Sequence, residues 1–320
     1  MSELIPVANC ENEQRIGDVV FVHGLKMLGN EHDYWTDKRS HVYWPQVLGS
    51  DLPNVGIWSL DYDANPTAWL GTTMPLLDRA TNALDRLTVD GMGQRPLIFV
   101  THSMGGLLVK WMLRQASDYG DKRWERLPQQ TRGMVFLSTP HQGADLATFL
   151  FALGRVLRLS ISVEDLRANN PMLRDLNTWY RNKANAGSFE TLVYVEAYNT
   201  LGVRVVDEMT ADPGLPGVTP VKVDADHFTI CAVSNPDALQ YKGTLAFIHA
   251  NLRDNHTLPS NGTGQNKTDE GAVALPGNPP PPDLSAPPLK GLYLTCYRRP
   301  GSRTLPLFSL AGRRSKSLAP

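Results

Sequence analysis

A serine flanked by small residues, a histidine far downstream in a loop, and carboxylates lying between them are the groups in this chain whose types and order could do chemistry together. The serine is Ser103, in Phe99-Val100-Thr101-His102-Ser103-Met104-Gly105-Gly106-Leu107-Leu108-Val109. That run reads as a strand, a very tight turn and a buried helix, with Ser103 at the apex. It is the pattern of a nucleophile elbow, in which a strained backbone at the serine demands small neighbours and lifts the hydroxyl clear of the sheet. Gly105 and Gly106 let the helix start press against the strand. Thr101 stands where the usual pattern has its first glycine.

A serine alone does not transfer acyl groups; two N–H donors must face the developing oxyanion, and a base and an acid must follow. The donors typically come from the residue after the nucleophile and from a loop after an earlier strand. Here those are Met104 and Leu25, the latter closing Asp18-Val19-Val20-Phe21-Val22-His23-Gly24-Leu25. Of eight histidines, His23, His32, His41 and His102 precede the serine, and His102 is expected to point away from it around the turn. His141 reads as shaping a loop at the edge of the site, His249 belongs to the last helix pattern, and His256 opens a polar stretch. His227, in Val221-Lys222-Val223-Asp224-Ala225-Asp226-His227-Phe228, follows a short strand and precedes the final helix, the position of a general base.

For the acid, the strand-like run Val203-Arg204-Val205-Val206 leads into Asp207-Glu208. Asp207 comes first at the strand exit and is the choice to hold the imidazole's tautomer. Glu208 is the nearest rival. Asp224 and Asp226, so close to His227 in sequence, read as ordering its loop.

The elements that must position these groups form a βαβ pattern. Apolar runs at 19–23, 56–62, 97–102, 133–138 and 191–197 alternate with helical patterns at 73–87 and 105–116, and a last helix at 238–252 follows the His227 loop. This predicts a doubly wound, mostly parallel α/β domain. Residues 146–180 are inserted before the acid loop. Their first part is apolar on more than one helical face and their second, 166–179, closes the other side. They read as a helical cap walling an apolar pocket, with presentation to an acyl chain or a membrane surface as the alternative.

Six ordered blocks carry a resemblance: His23-Gly24-Leu25; Trp35 with Trp44-Pro45; Ile57-Trp58-Ser59-Leu60-Asp61-Tyr62-Asp63; Thr101-His102-Ser103-Met104-Gly105-Gly106; Ser138-Thr139-Pro140-His141-Gln142-Gly143; and Asp224-Ala225-Asp226-His227. Together they resemble the α/β-hydrolase lipases and esterases of the serine-active-site-containing group, which are related to the inositol deacylases of glycolipid anchors and to a broader set of serine esterases. The resemblance runs to about Asp254. It implies an α/β-hydrolase fold, Ser103 as nucleophile, His227 as base, Leu25 and Met104 as oxyanion donors, and an ester or lipid substrate. Lys26-Met27 stand where relatives often have glycines. Val203-Arg204 replace the usual Asp-Gly, so the acid does not transfer.

Composition agrees with one ordinary domain, 1–254, followed by an extension, 255–320. The chain has 320 residues, of which 42% are hydrophobic, and a formal net charge of −1, which offers no electrostatic footprint for nucleic acid. Cys10, Cys231 and Cys296 lack metal or redox spacing, favouring reduced thiols and a cytoplasmic setting. No secretory signal pattern opens the chain, and no stretch reaches membrane-spanning length. There is no phosphate-cradling glycine loop, dinucleotide fingerprint or His-Glu-x-x-His pair, so no cofactor and no metal are expected. The stretch 255–285 is rich in Asn, Gly, Thr and Pro and reads as a linker to a disordered tail. Two functional alternatives accompany an ester hydrolase: transfer of the acyl group to an alcohol, as in lipid remodelling, and a non-catalytic hydrolase-fold module.

Overall fold

A computed structural model of the chain describes residues 2–25, 31–64, 76–141, 146–157 and 170–252. Seven strands form one sheet: β1 (Glu3–Ala8), β2 (Gly17–Val22), β3 (Val55–Asp61), β4 (Leu97–His102), β5 (Thr131–Leu137), β6 (Glu190–Glu196) and β7 (Val221–Val223). Their order is β1-β3-β2-β4-β5-β6-β7. Only β1 runs antiparallel to its neighbour; every other pairing is parallel. The helices are α1 (Glu31–Tyr34), α2 (Trp44–Asp51), α3 (Leu76–Val89), α4 (Met104–Asp118), α5 (Arg126–Gln130), α6 (Leu146–Leu157), α7 (Asn170–Asn185), α8 (Glu208–Ala211) and α9 (Leu239–Leu252). This is the α/β-hydrolase fold: a mostly parallel, doubly wound sheet with helices on both faces and, among the described residues, α6 and α7 inserted after β5.

The central strands are apolar at nearly every position because helices cover both faces of the sheet. Along β4, Leu97 and Phe99 join the core on one side while Ile98 and Val100 join the core on the other. β2 divides in the same way, with Val20 and Val22 against Val19 and Phe21. All eight side chains are fully enclosed. Removing such a side chain from water contributes about 1.5–3 kcal/mol, so the middle of the sheet is the rigid platform from which the strand ends project.

Three elements differ from the sequence reading. β1, absent from that reading, adds an edge strand through Glu3↔Asp61 to Ala8↔Ile57, with an irregularity between Pro6 and Ala8; proline, which cannot donate to a ladder, is tolerated at such an edge. Residues 203–206, read as strand-like, form no strand beyond the isolated bridge Thr200↔Val203. The second helix of the insertion, α7, continues past 180 to Asn185. Lys26-Met27, Cys296 and the extension 255–320 lie outside the described residues. Among the described residues, no helix is long and apolar enough to cross a membrane.

Candidate active site

Ser103 follows the last residue of β4 and precedes the first of α4, with φ 51° and ψ −123°. A non-glycine residue in that region stores about 1–3 kcal/mol of strain and persists only where its surroundings over-determine it. Here they do. Ser103 N–H donates to Leu137 O at 2.9 Å, and Gly106 N–H donates to Ser103 O at 3.2 Å. A Cβ on Gly105 would stand 2.4 Å from the carbonyl oxygens of both Val22 and His23, and one on Gly106 would stand 2.4 Å from Thr139 Oγ1. The helix start is thus wedged between the ends of β2 and β5. Thr101 takes the place of a glycine at no such cost, because its hydroxyl donates sideways to Val135 O at 3.0 Å.

His227 Nε2 lies 3.0 Å from Ser103 Oγ, and His227 Nδ1 lies 2.7 Å from Glu196 Oε2. The three side chains are almost wholly buried, at 1%, 2% and 0% exposure for His227, Ser103 and Glu196. With Glu196 accepting the Nδ1 proton, Nε2 is left with a lone pair facing the serine hydroxyl. The loop is held by Asp226, whose carboxylate accepts from the Phe228 and Thr229 amides, and by the His227 N–H bond to Thr200 Oγ1 at 3.0 Å. Asp224 accepts from the Tyr198 hydroxyl.

The carboxylate facing His227 is therefore Glu196, at the last position of β6, and not Asp207. Asp207 is exposed and spends its Oδ1 on the Thr210 N–H at 2.8 Å, capping the short helix α8. Glu208 pairs with Lys222 on the surface at 2.7 Å. The backbone of 205–206 explains the misreading. Val205 and Val206 do not extend the sheet but donate their N–H groups to Glu196 Oε1, at 3.0 and 2.9 Å. Arg204 reaches back to the carbonyls of Glu196 and Ala197. The one available signal was a carboxylate closing an otherwise apolar strand.

Gly24 lies directly against the elbow, since a Cβ there would stand 2.9 Å from Ser103 Cβ. Both peptide planes around Gly24 are clamped. Its N–H donates to Tyr34 Oη at 2.9 Å, and its carbonyl accepts from His23 Nδ1 at 2.7 Å. The Tyr62 hydroxyl donates to the His23 carbonyl at 2.7 Å, with the two rings stacked. Because a trans peptide points its N–H opposite to its C=O, fixing Gly24 O fixes the direction of the Leu25 N–H. Met104 is the first residue of α4, where the N–H has no partner within the helix.

His102 stands beside the base: its ring centroid is 4.9 Å from that of His227 and its Nδ1 is 2.5 Å from Tyr34 Oη. Burial, more than the neighbouring His227 and His23, holds its pKa well below the ordinary histidine value. On the cap side, the Phe149 ring of α6 stands 6.0 Å from His227. Lys110, buried within α4, was passed over as part of an apolar helix. Its Nζ reaches His141 Nδ1 at 2.7 Å and Asn177 Oδ1 at 2.9 Å, and lies 4.1 Å from the Tyr180 ring centre. Burial lowers the pKa of Lys110, and burial followed by the charge of Lys110 lowers that of His141. The described residues contain no cluster of three or more His, Cys, Asp or Glu able to hold a metal ion.

No protein-family model matches the chain. It is similar to Protein SERAC1 of Danio rerio, 35% identical over 268 residues, covering 75% of this chain and 40% of that protein. Protein SERAC1 of Homo sapiens is 31% identical over 260 residues, covering 73% and 39%. The chain thus spans about 40% of the length of the curated relatives it matches. Among solved structures, the esterase domain of a Rhodothermus marinus protein aligns over 79% of this chain and 99% of its own, at TM-score 0.45 and 12% identity.

Proposed function

We propose that this protein is a serine hydrolase that cleaves carboxylic esters through an acyl-enzyme. The observation that carries the proposal is the buried line from Ser103 Oγ through His227 to Glu196, with links of 3.0 and 2.7 Å. In this reading His227 Nε2 takes the hydroxyl proton as Ser103 Oγ attacks the ester carbonyl. Glu196 holds the Nδ1 proton in place and stabilises the imidazolium. The Leu25 and Met104 amides receive the oxyanion, the latter aided by the positive end of α4. The leaving alcohol takes the proton from Nε2, and water, deprotonated by His227 in turn, releases the acid and restores Ser103.

An acyl ester or lipid is the substrate class we favour, because the wall nearest His227 is aromatic, from Phe149 and Phe228. Such a wall receives a hydrocarbon chain without leaving polar groups unpaired. The test is fluorophosphonate labelling together with hydrolysis of a graded series of p-nitrophenyl esters, with wild type and Ser103→Ala in parallel. Label on Ser103 and turnover that vanishes in the variant support the reading. Product analysis with an added alcohol separates hydrolysis from acyl transfer. An unlabelled, inactive wild type would leave a hydrolase-fold binding module.

A further inference from the structure

Tyr34 and His102 stand next to the proposed catalytic groups, yet the reaction as written uses neither. Tyr34 Oη receives the Gly24 N–H at 2.9 Å and lies 2.5 Å from His102 Nδ1. The direction of the first bond follows from chemistry. An amide can only donate, so the phenol oxygen accepts from Gly24. Its own proton is then free for His102, and in the arrangement considered Nδ1 accepts it. Burial keeps Tyr34 protonated, raising its pKa well above the ordinary tyrosine value, and keeps His102 neutral. The proton of His102 is therefore on Nε2, which is buried and finds no partner of full hydrogen-bond geometry, only a weak one in the His227 backbone. The chain of contacts thus runs from the loop before Leu25, through a phenol and an imidazole, to the loop of the base.

Tyr34 is itself fixed in place. Its neighbour Trp35 packs edge-on against Phe21 of β2 and Trp44 of α2, with centroids 5.0 and 6.2 Å away, so the segment carrying the phenol is pinned to the rigid centre of the sheet. Gly24 is as tightly confined, since a Cβ there would stand 2.7 Å from Tyr34 Oη and 2.9 Å from Ser103 Cβ. A small rotation of the Gly24 peptides would swing the Leu25 N–H without disturbing any strand, and the Tyr34 bond opposes that rotation.

We propose that Tyr34 and His102 act as one positioning unit that sets the oxyanion loop relative to Ser103. This inference rests on the ester-hydrolase reading above. An oxyanion donor is worth most when it is already aimed at the place where charge develops, so loosening the unit acts on the transition state more than on substrate binding.

The test uses the full chain, fluorophosphonate labelling, and kcat and KM on p-nitrophenyl butyrate. Tyr34→Phe keeps the ring and its packing but deletes the bond, and His102→Leu deletes the acceptor. His102→Asn returns an acceptor oxygen near the former Nδ1. We expect kcat to fall by about 10-fold or more in Tyr34→Phe and His102→Leu, with KM nearly constant, and to recover in part in His102→Asn. The double variant Tyr34→Phe/His102→Leu should lose no more than the worse single one, because both changes break the same contact. Undiminished kcat in Tyr34→Phe, losses that multiply in the double variant, or a rise in KM in place of the fall in kcat would overturn the inference. If wild type labels at Ser103 and turns over, such a result removes the positioning unit alone. A wild type that neither labels nor turns over removes the ester-hydrolase reading, and the inference with it.

Discussion

Lys110 Nζ and His141 Nδ1 stand 2.7 Å apart, both side chains buried, the amine donating to the lone pair of a neutral imidazole. The pair ties the helix that begins at the nucleophile to the loop after β5. Asn177, which accepts from the same amine and donates to Pro213 O, brings in the cap helix α7. Protonating His141 would set two positive charges against each other in a site that cannot hydrate them.

Stability should accordingly fall on acidification. His102 and His141 both have folded-state pKa values held below the unfolded value near 6.5, so below that pH the unfolded chain binds protons that the folded chain refuses. Their contribution is complete above about pH 6.5 and declines as pH drops toward the folded values, by about 1.4 kcal/mol per pH unit for each group. Melting temperatures at pH 7.5, 6.5 and 5.5 measure this. His141→Asn, which keeps an acceptor for Lys110 but cannot titrate, should flatten the slope; an unchanged slope would refute the assignment.

Ser103→Ala removes a hydroxyl and no packing, so the fold should persist while esterase activity drops by roughly 10³-fold or more. Activity within a few-fold of wild type would end the acyl-enzyme mechanism.

Glu196→Gln should preserve the two acceptor contacts from Val205 and Val206 while turning an amide N–H toward His227 Nδ1, forcing the wrong tautomer. We expect kcat to fall by about 10²-fold or more. Asp207→Ala should do the opposite, costing about 1 kcal/mol of stability through the lost cap on α8 with little change in kcat. Steady-state kinetics and thermal melts on the two variants distinguish the carboxylates, and a larger kcat loss at Asp207 would reverse the assignment.

Gly105→Ala drives a methyl to 2.4 Å from two backbone carbonyls that no rotamer change can move. We expect about 1–3 kcal/mol of destabilisation, together with slower fluorophosphonate labelling as the elbow is pushed off the oxyanion loop. Gly120→Ala is the control: it has φ +71° and open space around it, so it should cost stability through backbone strain alone and leave labelling unchanged.

How much of this was legible in the sequence depends on the range of the interaction. Ser103, the glycines after it and the five central strands announce themselves within a few neighbouring residues, because tight turns and doubly covered strands restrict residue type locally. His227 was found by its place in the chain order. Glu196 was not, because a carboxylate at a strand end looks the same whether it faces solvent or an imidazole 31 residues away. The run 203–206 has β-branched residues suited to a strand, and tertiary structure overrode that propensity by spending two of its N–H groups on a side chain. Lys110 was invisible for a similar reason: its partners His141 and Asn177 are 31 and 67 residues downstream.

The serine and its base are separated by 124 residues and meet only where β4, β5, β6 and β7 line up side by side. During synthesis, then, a ribosome can release the whole nucleophile elbow from its exit tunnel long before any partner for it exists. The emerging polypeptide should carry an inert hydroxyl until the His227 loop has cleared the tunnel and β7 has docked on β6. Covalent labelling of stalled nascent chains of increasing length would turn on abruptly, and the length at which it does so would time the closing of the sheet.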